Sequence, residues 1–200
     1  MPDYRSRVRL RERAFPLEVF TNEPPIRGEL EVEKWLAALQ EPLAEIRPYE
    51  GDDYPTTTLP AFEAAWCASQ QGEEIGHDYD MRVRKAFFAQ SRNIGKREVL
   101  IEIAREAGLD IMRFIQLFDS GTARRYILEE GQEGRDHFRV HGTPTLMLAD
   151  GTKLRHPVAY PHMEAGRITK VGILPCCGED CIEITRGFFE KALQRVPETH

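Results

Sequence analysis

The chain has no Cys-x-x-Cys pair, although it carries four cysteines in 200 residues. Cys176, Cys177 and Cys181 crowd into Pro175-Cys-Cys-Gly-Glu-Asp-Cys181, and Cys67 stands alone beside Trp66. No apolar run approaches the ~20 residues that a membrane-spanning helix needs. The N-terminal Met-Pro-Asp-Tyr-Arg-Ser-Arg lacks the apolar core of a signal peptide. A cytoplasmic protein is expected, with no membrane partner. In that compartment cysteines are reduced, redox-active or metal-bound rather than structural bridges. There is no Gly-rich phosphate loop, and no paired carboxylates that would carry acid–base catalysis. A net charge of −6 gives no electrostatic footprint for nucleic acid. Low hydrophobicity is absent too. At 41% apolar and 30% charged residues, the chain can bury a sizeable core. Its length suits one domain, or one domain with a large insertion. No internal repeat is seen.

Arg5, Arg7, Arg9, Arg11 and Arg13 recur at every second position. That period predicts a strand over Arg5 to Ala14 with one basic face. It reads as a solvated edge strand whose arginines deter pairing, or as an anion-binding face that Glu12 and Glu18 would blunt. Residues 21–60 are rich in Pro and Gly, with a short helix around Val32 to Leu39. From Ala61 nearly to Val140 the pattern is helical. Phe62, Ala65, Trp66 and Ser69 share one face, and Val83, Phe87 and Phe88 another. Val99, Leu100, Ile103, Ala104 and Ala107 recur at helical spacing and stop at Gly108. Asp110 is placed to cap a helix carrying Ile111, Phe114, Ile115 and Phe118. A last helix of this block runs from about Thr122 to Phe138. Gly131 and Gly134 each cost it about 1 kcal/mol against Ala, so they mark a kink or close packing. Beyond it come an apolar segment, Val171 to Leu174, and a final amphipathic helix. That helix turns Phe188, Phe189, Ala192, Leu193 and Val196 inward.

Val140-His-Gly-Thr-Pro-Thr-Leu-Met-Leu148 is the most specific stretch. Pro144 has no N–H and belongs at a strand start or on an edge. Thr145 to Leu148 reads as a buried strand, and Asp150-Gly151 turns it into a second strand, Thr152 to Val158. Together with Phe62-Glu-Ala-Ala-Trp-Cys67, Arg84-Lys-Ala-Phe-Phe88, Glu98-Val-Leu-Ile-Glu102 and the Arg-rich segment ending in Phe15-Pro-Leu17, this order resembles the DsbA-like thioredoxin-fold family. The likeness is to the subgroup of FrnE-type oxidoreductases and 2-hydroxychromene-2-carboxylate isomerases.

The resemblance implies an α/β fold: a thioredoxin-like sheet with a large inserted all-helical domain. Residues 1–20 and 139–200 would form the thioredoxin-like domain, 21–60 a connection and 61–138 the insertion. It also implies that the family's first strand–Cys-x-x-Cys–helix unit is absent from this sequence. The strand it lacks would lie between those at Val8 and Thr145. A homo-oligomer or a preceding segment is expected to fill that place.

Thr143 and Pro144, with His141 beside them, are the substrate-binding candidates, and the resemblance implies a cis Thr143–Pro144 peptide in a groove between sheet and helices. A trans proline at a strand start and an exposed loop histidine are the plain alternatives. Cys176, Cys177 and Cys181 are the catalytic candidates, as a second redox centre. The cluster can instead be a turn of reduced thiols, or a zinc site with His156 or His162 as fourth ligand; no metal is assigned. Cys67 reads as a core thiol. The implied activity is thiol–disulfide exchange on a protein or small thiol substrate, without a cofactor and incomplete unless an upstream Cys-x-x-Cys is supplied. The alternatives are a glutathione-dependent isomerase or transferase of the same fold, and a non-catalytic peptide-binding module.

Overall fold

The computed structural model of the chain describes residues 4, 7–21, 26–40, 43–155, 160–164, 167–172 and 179–194. The chain divides into two units: Ala14–His137, and Met1–Arg13 with Phe138–His200. The first is helical. It contains α1 (Leu17–Thr21), α2 (Arg27–Gln40), α3 (Leu59–Ser69), α4 (Glu73–Gln90), α5 (Arg97–Glu106), α6 (Ile111–Asp119) and α7 (Thr122–Asp136).

Small side chains place α3 at the centre of this unit. It buries Ala61, Ala64, Cys67 and Ala68 and packs against α4, α5, α6 and α7. Alanines at helical spacing let neighbouring backbones come close. The face expected from Phe62, Ala65, Trp66 and Ser69 is therefore a rim: the first three are half-buried and Ser69 is exposed. Bulk is supplied by the partners instead, since Tyr79, Leu100, Ile103 and Phe114 have no exposed surface. The α5 pattern, the Gly108 stop at φ +76° and the Asp110 cap are as the sequence predicts. Asp110 accepts the Arg113 N–H at 3.1 Å.

The 21–60 segment packs into the helical unit. Tyr49 is buried and meets the Tyr54 and Phe87 rings at 4.7 and 5.7 Å. Lys34 of α2 lies under them, its Nζ 5.6 Å from the Tyr49 centroid and 5.0 Å from that of Phe87. It donates to Glu31 at 3.0 Å. Glu31 also accepts the Tyr49 N–H at 2.9 Å and the Tyr54 hydroxyl at 3.3 Å.

The start of the helical unit docks on its end. A Cβ on Gly131 would come within 2.9 Å of the Phe20 ring, and one on Gly134 within 3.0 Å of Phe15. The two glycines thus mark close packing, and α7 runs unbroken through both. Glu130 accepts the Ala14 N–H at 2.8 Å. Glu18 reaches the N-terminus of α3, where Thr58 makes no side-chain cap of its own. Its Oε1 accepts the Thr58 N–H at 3.0 Å and the hydroxyls of Thr57 and Thr58 at 3.0 and 3.3 Å. A carboxylate there satisfies an orphan donor and opposes the positive end of the helix. Glu18→Ala should lower unfolding free energy by about 1 kcal/mol. An unchanged urea midpoint would show that the distant cap is idle.

The second unit contains β1 (Thr145–Met147), β2 (Lys153–Arg155), β3 (Tyr160–Glu164), β4 (Arg167–Gly172) and α8 (Glu179–Leu193). β1 pairs antiparallel with β2, and β3 with β4, with an irregularity between His162 and Met163. The expected strand Thr152 to Val158 is seen as β2; residues 156–158 lie outside the described residues. Val171 lies in β4, next to its last residue Gly172, and Ile173 and Leu174 lie outside. Tyr4 stacks on Phe189 of α8 at 5.1 Å and donates to Glu190 at 2.8 Å. Phe188, Ala192 and Leu193 are half-buried; Val196 lies outside.

The strand predicted over Arg5 to Ala14 is corrected. Residues 7–16 carry no strand. The Tyr4 carbonyl accepts the N–H groups of Arg7 and Val8 at 3.0 and 2.8 Å, which turns the chain at once. Leu10, an inward position in the predicted alternation, is 61% exposed. A period of two supplies no partner strand, and a strand without a ladder does not persist.

Candidate functional site

The site is the turn that leads into β1. Gly142 is buried, while His141, Thr143 and Pro144 are exposed. The Thr143–Pro144 peptide is cis. The Thr145 hydroxyl donates back to the Gly142 carbonyl at 2.6 Å, closing a side-chain turn over the proline. The loop is thus tied locally by its own threonine.

The β1–β2 connection is tighter in detail than a plain Asp-Gly turn. The Gly151 N–H donates to the Leu148 carbonyl, and the Leu148 N–H to the Thr152 carbonyl, both at 2.9 Å. With Gly151 at φ +82°, this is a three-residue loop ending in a glycine bulge. Asp150 accepts the Thr152 N–H and hydroxyl at 2.9 Å each, and Lys191 of α8 donates to the same hydroxyl at 3.0 Å. The helix thus fixes the hairpin tip.

That geometry sets which way β1 faces. Leu148 and Thr152 are hydrogen-bonded, so the alternation of an antiparallel ladder bonds Leu146 to Leu154. Thr145, opposite Arg155, and Met147, opposite Lys153, are non-bonded pairs. Their N–H and C=O groups point away from β2. Among the described residues β1 has no neighbour on that side. The expectation of a buried strand is corrected: Thr145 and Leu146 are half-buried and Met147 is exposed, because a two-stranded ribbon leaves one edge uncovered. An open edge beside Thr145 was expected; which residues of β1 face it, and the existence of β3, were not legible in the sequence. Edge polarity depends on the bulge at Gly151, and β3 carries a proline inside a five-residue run.

Cys67 is fully buried in α3. Burial first, then the charges of Glu63 and Asp119, push its thiol up to about 12. It holds almost no thiolate near neutral pH and cannot act as a nucleophile there. Cys176 and Cys177 lie outside the described residues. Cys181 falls within α8, its side chain outside the description. His156 lies outside as well, and His162 is exposed on β3. Among the described residues no three His, Cys, Asp or Glu side chains converge on a metal position. In the native protein a thiol reagent should spare Cys67, which should react only at the rate of opening. Fast labelling of all four thiols would contradict a closed core.

A family model described as Thioredoxin matches residues 52–158. The match runs from the approach to α3 through the β1–β2 hairpin. Over 100 residues the chain is 33% identical to the uncharacterized protein YwbO of Bacillus subtilis (strain 168), covering 48% of this chain and 47% of that one. The chain thus spans about half the length of the curated relative it matches. The solved structure of the cytosolic disulfide reductase DsbM from Pseudomonas aeruginosa aligns over 86% of this chain and 82% of its own, with a TM-score of 0.54 and 17% identity. That likeness is one of fold: a thioredoxin-like α/β arrangement with a dominant helical part.

Proposed function

The chain belongs to the thioredoxin family, and on that premise we propose that it is a DsbA-like thiol–disulfide oxidoreductase acting in the cytoplasm. The observation that carries the reading is that the family match includes the Gly142–Thr145 turn beside an open strand edge. An extended substrate would lie against Thr143 and Pro144, with His141 at the mouth. In the exchange a thiolate attacks one sulfur of the substrate disulfide. That S–S bond breaks, a mixed disulfide forms, and the first substrate thiolate leaves and takes a proton. A second thiolate then attacks the mixed disulfide, releases the other substrate thiol and leaves a disulfide in the protein.

Cys67 is unsuited to either part. The attacking and resolving thiols are therefore assigned to Cys176, Cys177 and Cys181, or to a Cys-x-x-Cys segment joined to this unit. In a glutathione-buffered assay on a peptide disulfide, the full chain should turn over. Cys181→Ser should lower the rate at least about tenfold, a loss of 1.4 kcal/mol in barrier terms. Turnover that survives serine at Cys176, Cys177 and Cys181 together would remove the C-terminal cluster from the mechanism.

The outward backbone of Thr145 and Met147 favours a second reading, a peptide-binding module without catalysis. Strand addition on such an edge gives affinity through main-chain bonds. Peptide binding with no disulfide exchange would select it.

A further inference from the structure

The hydroxyl that ties the proline turn also decides which way its main chain faces. Thr145 Oγ1 donates to the Gly142 carbonyl at 2.6 Å. The Gly142–Thr143 peptide is planar and trans, so its C=O and N–H point in opposite directions. With the oxygen drawn to Thr145, the Thr143 N–H is turned away from that side chain. Thr143 is exposed, and its N–H donates to no group among the described residues. Pro144 offers no donor at the next position. The N–H and C=O of Thr145 itself point away from β2, on the side where β1 has no neighbour among the described residues. Gly142 is buried. Without a hydroxyl at position 145 its carbonyl would lose that partner, and an unmatched buried acceptor is costly. The peptide plane would then rotate to bring the oxygen to water, with no Cβ on Gly142 to resist. Because the plane is rigid, the same rotation carries the Thr143 N–H inward.

We propose that Thr145 is a positioning residue: its hydroxyl holds the Thr143 N–H outward as a donor to the main chain of an extended polypeptide substrate. The inference rests on the reading of this turn as a substrate site and adds to it the side chain that orients the turn and the class of substrate that the turn favours. A fixed amide donor beside an open strand edge recognises peptide carbonyls, which a small disulfide without amide groups does not offer. Holding that donor in place beforehand also spares binding the cost of ordering a free peptide plane. Threonine suits the task, since its β-branch restricts the rotation that would swing the hydroxyl off the carbonyl.

The test compares the full wild-type chain with Thr145→Val, which keeps the shape and loses the donor, and Thr145→Ser, which keeps the donor. Two substrates enter the glutathione-buffered assay: a peptide disulfide, and 2-hydroxyethyl disulfide, which has no amide group. In Thr145→Val the ratio of kcat/KM for the peptide to that for the small disulfide should fall about tenfold, through KM rather than kcat. In Thr145→Ser it should stay within about threefold of wild type. A loop that merely unravelled would lower both rates and leave their ratio. Calorimetric titration with the same peptide, serine replacing its cysteines, should show affinities in the same order, and this reads the role of Thr145 even without exchange. An unchanged ratio and affinity in Thr145→Val overturn the positioning role and leave the reading of the turn standing. Equal losses in Thr145→Val and Thr145→Ser do the same. A wild type that neither exchanges thiols with the peptide nor binds it fails that reading, and the positioning role falls with it.

Discussion

Gly76→Ala should destabilise the protein by about 2 kcal/mol, although it replaces glycine by the best helix former. Gly76 is buried in α4. A Cβ there would lie 2.6 Å from the Ser69 Cα and 3.0 Å from its backbone nitrogen. Those atoms belong to α3 and cannot rotate aside, so the two helices must separate. The propensity gain of up to about 1 kcal/mol is smaller than such overpacking costs. Gly187 of α8 provides the contrast, since a Cβ there meets nothing within 4 Å. Gly187→Ala should stabilise by about 0.5–1 kcal/mol. Urea denaturation of both variants checks the pair. If Gly76→Ala proved neutral or stabilising, the close α3–α4 approach would be wrong.

Phe114→Ala should cost about 3–5 kcal/mol. The Phe114 side chain is fully buried, with the rings of Tyr79 and Phe118 each 5.6 Å away, centroid to centroid. Removing it empties the place where α6 meets the α3–α4–α5 core and strips Tyr79 of a ring contact. The Tyr79 hydroxyl, donating to the Leu100 carbonyl at 3.1 Å, would hold the remaining wall open rather than let it collapse. Met112, two residues earlier, is 78% exposed, and Met112→Ala should change stability by no more than about 0.5 kcal/mol. Thermal and urea midpoints should therefore differ sharply between two substitutions on one short helix. Equal midpoints would mean that α6 is turned the other way.

Where one residue decides a local structure, the sequence was enough to read it. The Asp110 cap, the Gly108 stop and the buried Cys67 depend on short-range geometry or on apolar spacing. The turn at Gly142-Thr-Pro-Thr145 and the hairpin beyond it carry Pro and Gly at positions with mechanical meaning. What depends on partners was not legible. The alternating arginines before Ala14 look like a strand to any period count, yet residues 7–16 have no ladder to join. On α3, large side chains suggested the buried face, and the small ones occupy it because several helices converge there. Lys34 reads as a solvent-facing charge until Tyr49 and Phe87, far along the chain, close over it. The cysteine cluster at 176–181 remains a proposal carried by its residue types alone.

The contacts between the first and last residues of the helical unit bear on how such a unit can sit inside another. Ala14 is bonded to Glu130, and Phe15 lies against Gly134, so the unit opens and closes at one point. In the other unit, Arg13 lies over the Phe138 ring at 5.2 Å, so the cut ends there are neighbours too. Along the chain, the whole of residues 14–137 is thus equivalent to a short turn between Arg13 and Phe138. The entropy of closing so long a loop is met within the insert, by its own packing, and does not fall on the two small hairpins. Length can then be added to or trimmed from the helical unit without pulling on the proline turn.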